Sequence, residues 1–452
     1  MKTRAAAVFT FLITSTLLLF SCSSRELLSE AQVSFLTPAV AALPAPAPVP
    51  PVLTQLSKDV LSSRKLHLNL EIVTDGAATG DGGNSWGGHQ TRIVRTQDGV
   101  FTAYTVPGDG YTSREWRLAW RKDNGTWPVI AQGGAGREPV NIVASPDGTL
   151  NVIGWPNGTG TIWSGKPSNG TITMQSSSIP GVASGFWPYN SAGIDHLGNL
   201  CVLSSGGEQP GEFRWACYLP AETQWISGTT EIDYRYTYTY MFPYQDRGLS
   251  LVATRDVLWE TLGYTKPEGA FDYVFNAFRY WHSDDMSTTP IQELTFLEEV
   301  PTTQFPEPYL NAQTDAYIDT KGQMHILYTR EGASTGGKRQ YRHRVVSPSG
   351  SLLYDVRIPK KAGEYSRIFQ DAQGDFYLLT SSGRLYRAGN DGVNLSKPII
   401  LDLGGYQVEY SGFGISVPRT GTPLSNVLDV VFPSDNGAKW IYFQLDLPPI
   451  QK

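Results

Sequence analysis

Histidine and cysteine are scarce in this chain of 452 residues, which has six of the first and three of the second. No cysteines and histidines stand at metal-binding spacing, so nothing in the pattern points to a metal-centred enzyme. A GxSxG nucleophile elbow is absent, as is a glycine-rich phosphate loop after a strand, which removes the common hydrolase and nucleotide-binding signatures. Charged residues make up only 17% and the net charge is −6, and a mildly acidic chain argues against a nucleic-acid partner. Helix-period runs of convincing length are missing after Leu66. What is plentiful is aromatic residues, at 12%, and glycine, at 46 residues. They fall in short alternating runs punctuated by Gly, Asp, Asn and Pro, the composition of an all-β protein rich in tight turns.

The first residues, MKTRAAAVFTFLITSTLLLFSC, place Lys2 and Arg4 before an apolar run from Ala5 to Phe20 and a cysteine at 22. The run is too short to span a bilayer comfortably and polar SSRELLSE follows it, so it reads as an export signal. LFSC resembles a bacterial lipobox, with Phe20 atypical before Ser21. It predicts a signal peptide over residues 1–21 and lipidation of Cys22, ordinary secretion or a retained anchor being the alternatives. Ser23 after the cysteine fits sorting to an outer membrane, facing the periplasm or the outside. The segment Thr37–Leu53 is dense in Pro and Ala and predicts a semi-rigid spacer within a linker over residues 22–65. The folded domain is expected over residues 66–452. Its two cysteines, Cys201 and Cys217, are predicted on neighbouring strands, either as a disulfide or as two buried thiols.

A repeat organises that domain. The turn glycines of TQDGVF, SPDGTL, DHLGNL and YQDRGLSL, at 99, 148, 198 and 248, are spaced by 49, 50 and 50 residues. After an enlarged unit the pattern resumes at Gly322 and Gly374, 52 apart, and a last turn falls near Gly421. Each glycine separates two alternating runs, so each marks the hairpin between the first and second strands of a unit. Four strands per unit and seven units predict a seven-bladed β-propeller. KLHLNLEIV, Lys65 to Val73, has no partner hairpin and is expected to close the ring as the outer strand of the last blade. The long interval between Gly248 and Gly322 predicts an enlarged fourth blade, whose extra residues read equally as a flexible or a functional insertion.

In a propeller the starts of the inner strands and the loops between second and third strands share one face. That rule brings His89, Tyr111, Asn141, Tyr189, Arg214, Tyr234, Arg235, Tyr236 and Tyr238 toward one mouth, with Trp86 and Trp187 nearby as sugar-stacking faces. His196 falls at the opposite turn, His325 and His343 sit mid-strand as structural histidines, and His282 is undecided. A His, a Tyr and an Arg suit β-elimination of a uronic-acid polysaccharide. Arg neutralises the sugar carboxylate, and His and Tyr serve as base and acid. The expected mouth offers no paired carboxylates, which most glycosidases need.

SWGGHQTRIVRTQDGVFTAY, YNSAG, FRWACY, RYTYTY and GLSLVATRDVLWETLGY resemble the seven-bladed propeller ulvan lyases and their BNR-repeat relatives, over most of residues 66–447. The resemblance implies cleavage of a sulfated rhamnose-uronate polysaccharide to an unsaturated uronyl end. It matches the catalytic histidine to His89, the tyrosine to Tyr189 and the carboxylate-binding arginine to Arg214, with Arg235 as alternative. A further binding tyrosine falls among Tyr234, Tyr236 and Tyr238. That family carries a second histidine in the second-to-third loop of blade 1, where this chain has Tyr111 and no histidine. No cofactor is required for such chemistry, although the family sometimes holds a structural metal. The chain is expected to act as a monomer on an anionic polysaccharide and to meet the membrane only through its lipid. A rhamnosyl-glucuronate hydrolase and a non-catalytic glycan-binding propeller are the rival readings.

Overall fold

A computed structural model describes residues 65–447, apart from 111–112, 183–188, 245–246, 267, 290, 298–309, 333–334, 364 and 410–411. Cys22, Tyr111 and Trp187 therefore lie outside the described residues. The chain divides after Asp59, and everything that follows concerns the second unit, Val60–Lys452.

Seven antiparallel sheets follow one another along the chain, each with its first strand innermost. The inner strands are Ile93–Thr96, Asn141–Ala144, Tyr189–Ile194, Tyr236–Tyr244, Leu310–Ile318, Ser366–Gln370 and Gly414–Ile415. Second strands such as Leu150–Gly154 are buried along their whole length, because both faces are covered. Outer strands such as Gln224–Ile232 alternate between exposed and half-buried positions, because one face meets water. The core consists of wedges between blades. Val94, Trp116 and Leu118 of blade 1 meet Ile142 and Val152 of blade 2, and the other neighbouring blades pack likewise.

The hairpin glycines fall where the repeat placed them. Gly148, Gly198, Gly322, Gly374 and Gly421 adopt positive φ, so a side chain there would strain the turn. Gly248 differs: it opens the second strand of blade 4 opposite Tyr244, without a left-handed backbone.

Ring closure departs from expectation in one respect. Lys65 to Val73 is not one strand of the last blade. Glu71–Thr74 pairs antiparallel with Lys439–Asp446 and completes blade 7, whereas Lys65–His67 pairs parallel with Ile399–Asp402 as a fifth strand on blade 6. Leu68 and Leu70 pack against the shared core of these blades, and beyond them the inward face shifts to Glu71 and Val73, with Ile72 exposed.

The enlarged fourth blade places its extra residues on the mouth face. They run between the strands Gly248–Arg255 and Phe278–Ser283 and carry a small two-stranded sheet, Val257–Leu258 with Tyr273–Val274. At the opposite face, Pro418–Thr420 of blade 7 reaches across the channel. Arg419 Nη1 donates to the Ala192 carbonyl of blade 3 at 3.2 Å, and a side chain on Gly421 would collide with the Ala144 carbonyl of blade 2. Cys201 and Cys217, directly opposite on blade 3, form a disulfide.

Candidate active site at the channel mouth

The residues before blade 1 form a braced loop, which accounts for the motif NSWGGHQ. Asn84 is fully buried; its Nδ2 donates to the carbonyls of Ala78 (3.1 Å) and Thr105 (2.7 Å), and its Oδ1 accepts from Thr105 N at 3.0 Å. Gly87 turns the chain with φ 72°, and a Cβ there would lie 2.3 Å from Gln90 Oε1. The turn aims His89 inward just ahead of the first strand, where it is only 4% exposed.

His89 Nε2 lies 2.9 Å from the Asn190 carbonyl of blade 3. A carbonyl only accepts, so Nε2 carries the hydrogen and Nδ1 keeps the lone pair of a neutral imidazole. Nδ1 has no hydrogen-bond partner. Burial, with repulsion from Arg419, Arg92 and Arg367, lowers the His89 pKa to about 3 against the Asn190 hydrogen bond, so the ring is neutral at ordinary pH. The amide of Asn190 is itself fixed, since its Oδ1 accepts from Gln90 Nε2 at 2.9 Å and Asn141 Nδ2 at 2.7 Å.

Tyr238 is the hub of the mouth. A bulge between Thr237 and Tyr240 puts it in the left-handed region at φ 53°, turning its ring out of the strand. Its ring centroid lies 5.6 Å from His89, 5.7 Å from Tyr189, 6.1 Å from Trp86 and 6.1 Å from Phe275. Burial, then the charge of Asp256, holds both Tyr189 and Tyr238 protonated well above the ordinary phenol range, and Glu138 adds to it. These phenols are therefore proton donors at neutral pH.

Two arginines were candidates for the sugar carboxylate, and they sit differently. Arg214 lies on the third strand of blade 3, on the face that packs toward blade 2, and pairs with Glu212 at 2.5 Å. Arg235 stands at the mouth, its guanidinium carbon 5.8 Å from the Tyr189 ring and 5.2 Å from the Tyr273 ring. Its Nη1 pairs with Glu208 at 2.7 Å and its Nη2 with Asp256 at 3.7 Å. Burial opposes its charge, but Asp256 and Glu208 hold its pKa above the ordinary value.

The other expected sugar contacts take bracing positions. Asn141 is fully buried, its Oδ1 accepting from Thr91 N at 3.0 Å. Tyr236 is likewise buried, edge-on to Trp281 at 5.0 Å with Arg255 donating to its hydroxyl at 3.1 Å. Tyr234 is half-buried under the Arg255 guanidinium at 4.4 Å. Away from the mouth, His325 and His343 are buried against each other at 3.0 Å, and His282 bonds Tyr244, Ser250 and Asp284.

The mouth also contains carboxyl groups that the sequence reading left out. Glu138 and Asp256 both lie close enough to raise the two tyrosines. Burial raises Glu138 to about 7 against the pull of Arg137, and raises Asp256 to about 6 against that of Arg235. In GREPVN and TRDVLW they look like ordinary loop charges, and only the fold buries them. The blade 4 insertion adds Tyr273 beside Arg235 and Phe275 beside Tyr238, and Phe275 stacks on Phe271 at 6.0 Å. Phe271 is 57% exposed. Among the described residues no group of three or more His, Cys, Asp or Glu is arranged to hold a metal.

No protein-family model matches this chain, and no curated protein matches it. Solved structures do. An ulvan lyase described as a new family of polysaccharide lyase is 11% identical, with TM-score 0.50 over 83% of this chain and 96% of that one. An α-L-arabinanase of Penicillium chrysogenum is 10% identical, with TM-score 0.43 over 68% and 93%. A periplasmic gluconolactonase of Pseudomonas aeruginosa is 13% identical, with TM-score 0.44 over 73% and 94%. At such identities the likeness to the ulvan lyase speaks for architecture alone, and what it shows is that the chain is a β-propeller.

Proposed function

We propose that this protein is a polysaccharide lyase that cleaves an ulvan-type sulfated rhamnose-uronate polymer by β-elimination. The observation that carries the reading is the pairing of a neutral His89, whose Nδ1 lone pair has no partner, with tyrosines held protonated and the Arg235 guanidinium beside them. Arg235, at the mouth beside the Tyr189 and Tyr273 rings, supplies the positive charge that stabilises the uronate as C5 loses its proton. Tyr238, whose ring stands edge-on to His89 at 5.6 Å, serves as relay: its oxygen takes the C5 proton as its own proton passes to the buried Nδ1. Tyr189 donates its proton to the leaving oxygen. The C5–H and C4–O bonds break, and the C4–C5 double bond forms. Trp86 and the Phe271–Phe275 stack offer apolar faces to neighbouring sugars. Export as a lipoprotein modified at Cys22 belongs to the same reading, supported by the leader and by a disulfide that suits an oxidising compartment.

A hydrolase is the second reading, favoured by Glu138 and Asp256, whose raised pKa values would suit a general acid and its partner. Absorbance near ~235 nm, where a double bond conjugated to a carboxylate absorbs, separates the readings during incubation with ulvan. A rise that Tyr238→Phe, His89→Ala and Arg235→Ala each reduce by at least about 100-fold fits the proposed roles. Reducing ends released without that absorbance would make the protein a hydrolase. Binding to ulvan with neither signal would make it a glycan-binding propeller.

A further inference from the structure

The loops that rim the mouth are not uniform in charge. Asp109 of blade 1 and Glu260 and Glu268 of the blade 4 insertion are exposed acids, and the chain as a whole carries a net charge of −6. Blade 5 is the exception. Lys338 and Arg339 are exposed in the loop between its second and third strands, and Arg357, Lys360 and Lys361 are exposed where its outer strand leads into blade 6. Both stretches lie on the mouth face. The short helix Lys360–Gly363 holds them together: Ala362 is buried in the core with Tyr341 and Ile358, and a Cβ on Gly363 would lie 2.2 Å from Tyr341 Cβ. Ser366 Oγ donates to the Ala362 carbonyl and ties the same turn to the inner strand of blade 6.

Glu331 pairs with Arg339 at 2.8 Å, and Asp355 with Arg342 at 2.8 Å and Arg344 at 2.5 Å. Among the described residues that leaves Lys338, Arg357, Lys360 and Lys361 without a carboxylate partner; Glu364, in the same loop, lies outside them. Arg357 stands directly opposite Arg342 on the neighbouring strand, a like-charge pair that costs stability. A second observation comes from Tyr365, which is 40% exposed and immediately precedes the inner strand of blade 6, at the mouth. Its φ of 44° lies in the left-handed region, which a bulky side chain rarely adopts. The other described non-glycine residues with such a backbone are Asn, Asp, Thr and Tyr238, the hub of the mouth. Strain of this kind gathers at functional sites.

We infer that the mouth face of blades 5 and 6 is the docking surface for an anionic polysaccharide chain. Lys338, Arg357, Lys360 and Lys361 receive its sulfate and carboxylate groups, and Tyr365 offers its ring to a sugar face. The exposed acids on blades 1 and 4 repel the same polymer, so charge steers the chain onto this one sector of the rim. The identity of the polymer rests on the lyase reading, whereas the surface itself does not depend on which bond the mouth breaks.

Titration calorimetry of the whole protein with ulvan should show an affinity that falls as salt rises. Lys338→Gln, Lys360→Gln and Lys361→Gln combined should weaken binding by about tenfold at low salt. The difference should vanish near ~1 M salt, where exposed charges are screened. Tyr365→Ala should weaken binding several-fold at every salt concentration, Tyr365→Phe should not, and all these variants should keep the wild-type Tm. A triple variant or a Tyr365→Ala protein that binds as the wild type does would overturn the inference. So would a wild type that binds no ulvan, or that binds double-stranded DNA or phosphatidylglycerol vesicles more tightly. Binding that responds to the variants as stated, with no unsaturated product, would uphold the surface and overturn the lyase reading alone.

Discussion

His89 shows how a residue can be legible in the sequence while its chemistry is not. Its place before the first hairpin, between a glycine turn and an alternating strand, marked it among six histidines. Its protonation state depends first on burial and then on Asn190, Arg419, Arg92 and Arg367, which lie far apart in the chain. Nitrogen-15 NMR of the imidazole should report a neutral ring with hydrogen on Nε2 at pH 5, and titration near the ordinary 6.5 would contradict this. Glu138 was opaque for the same reason, since burial by distant blades is not written in local spacing. Glu138 is more basic folded than unfolded, so the wild type loses stability as pH rises from 4.5 to about 7. Glu138→Gln should therefore gain on the wild type across that window, by at most about 1.4 kcal/mol per pH unit, and then hold a constant difference. Parallel denaturant-unfolding profiles for the two proteins would refute this.

At the scale of elements, the blade was readable because it is a local unit whose strands pair in sequence order. Blades 1 and 3 repeat a further device that the alternation hid. Trp116 lies over Gly133, and Trp215 over Gly228, each pair directly opposite on the third and fourth strands. A Cβ at either glycine would come within 2.8 Å of the indole. Gly133→Ala and Gly228→Ala should each destabilise by roughly 1–3 kcal/mol, measured by urea unfolding, whereas a neutral result would mean the indoles can shift. The blade 4 insertion could be located but not interpreted, because only the fold brings Phe275 against Tyr238. Phe271→Ala should raise KM for polymeric ulvan several-fold with little change in kcat, since an exposed ring contributes uniform binding. A fall in kcat alone would place Phe271 in the chemistry.

At the scale of the molecule, the seven-fold repeat and closure by the amino-terminal segment were expected, and the split of that segment between two blades was not. Polar and apolar residues alternate from Lys65 to Ile72, yet Ile72 is exposed while Glu71 and Val73 are buried, so the alternation does not mark where the segment changes blades. The two halves should differ in weight. Starting the domain at residue 71 should lower Tm by a few degrees, whereas starting it at residue 75 should abolish cooperative unfolding, because blade 7 then lacks its outer strand. Calorimetry showing equal losses would contradict this division.

The pairing of Glu71 with Tyr442 also sets a timetable. The strand that seals the ring is among the first parts of the domain to be synthesised, and its partner is among the last. A growing chain can therefore assemble blades 1 to 6 in turn while its opening strand waits without a place to dock. Until the final hairpin emerges, two sheet edges stay available to other strands, a hazard that grows with the time spent open. Closure of blade 7 is thus the step at which the domain first becomes a ring.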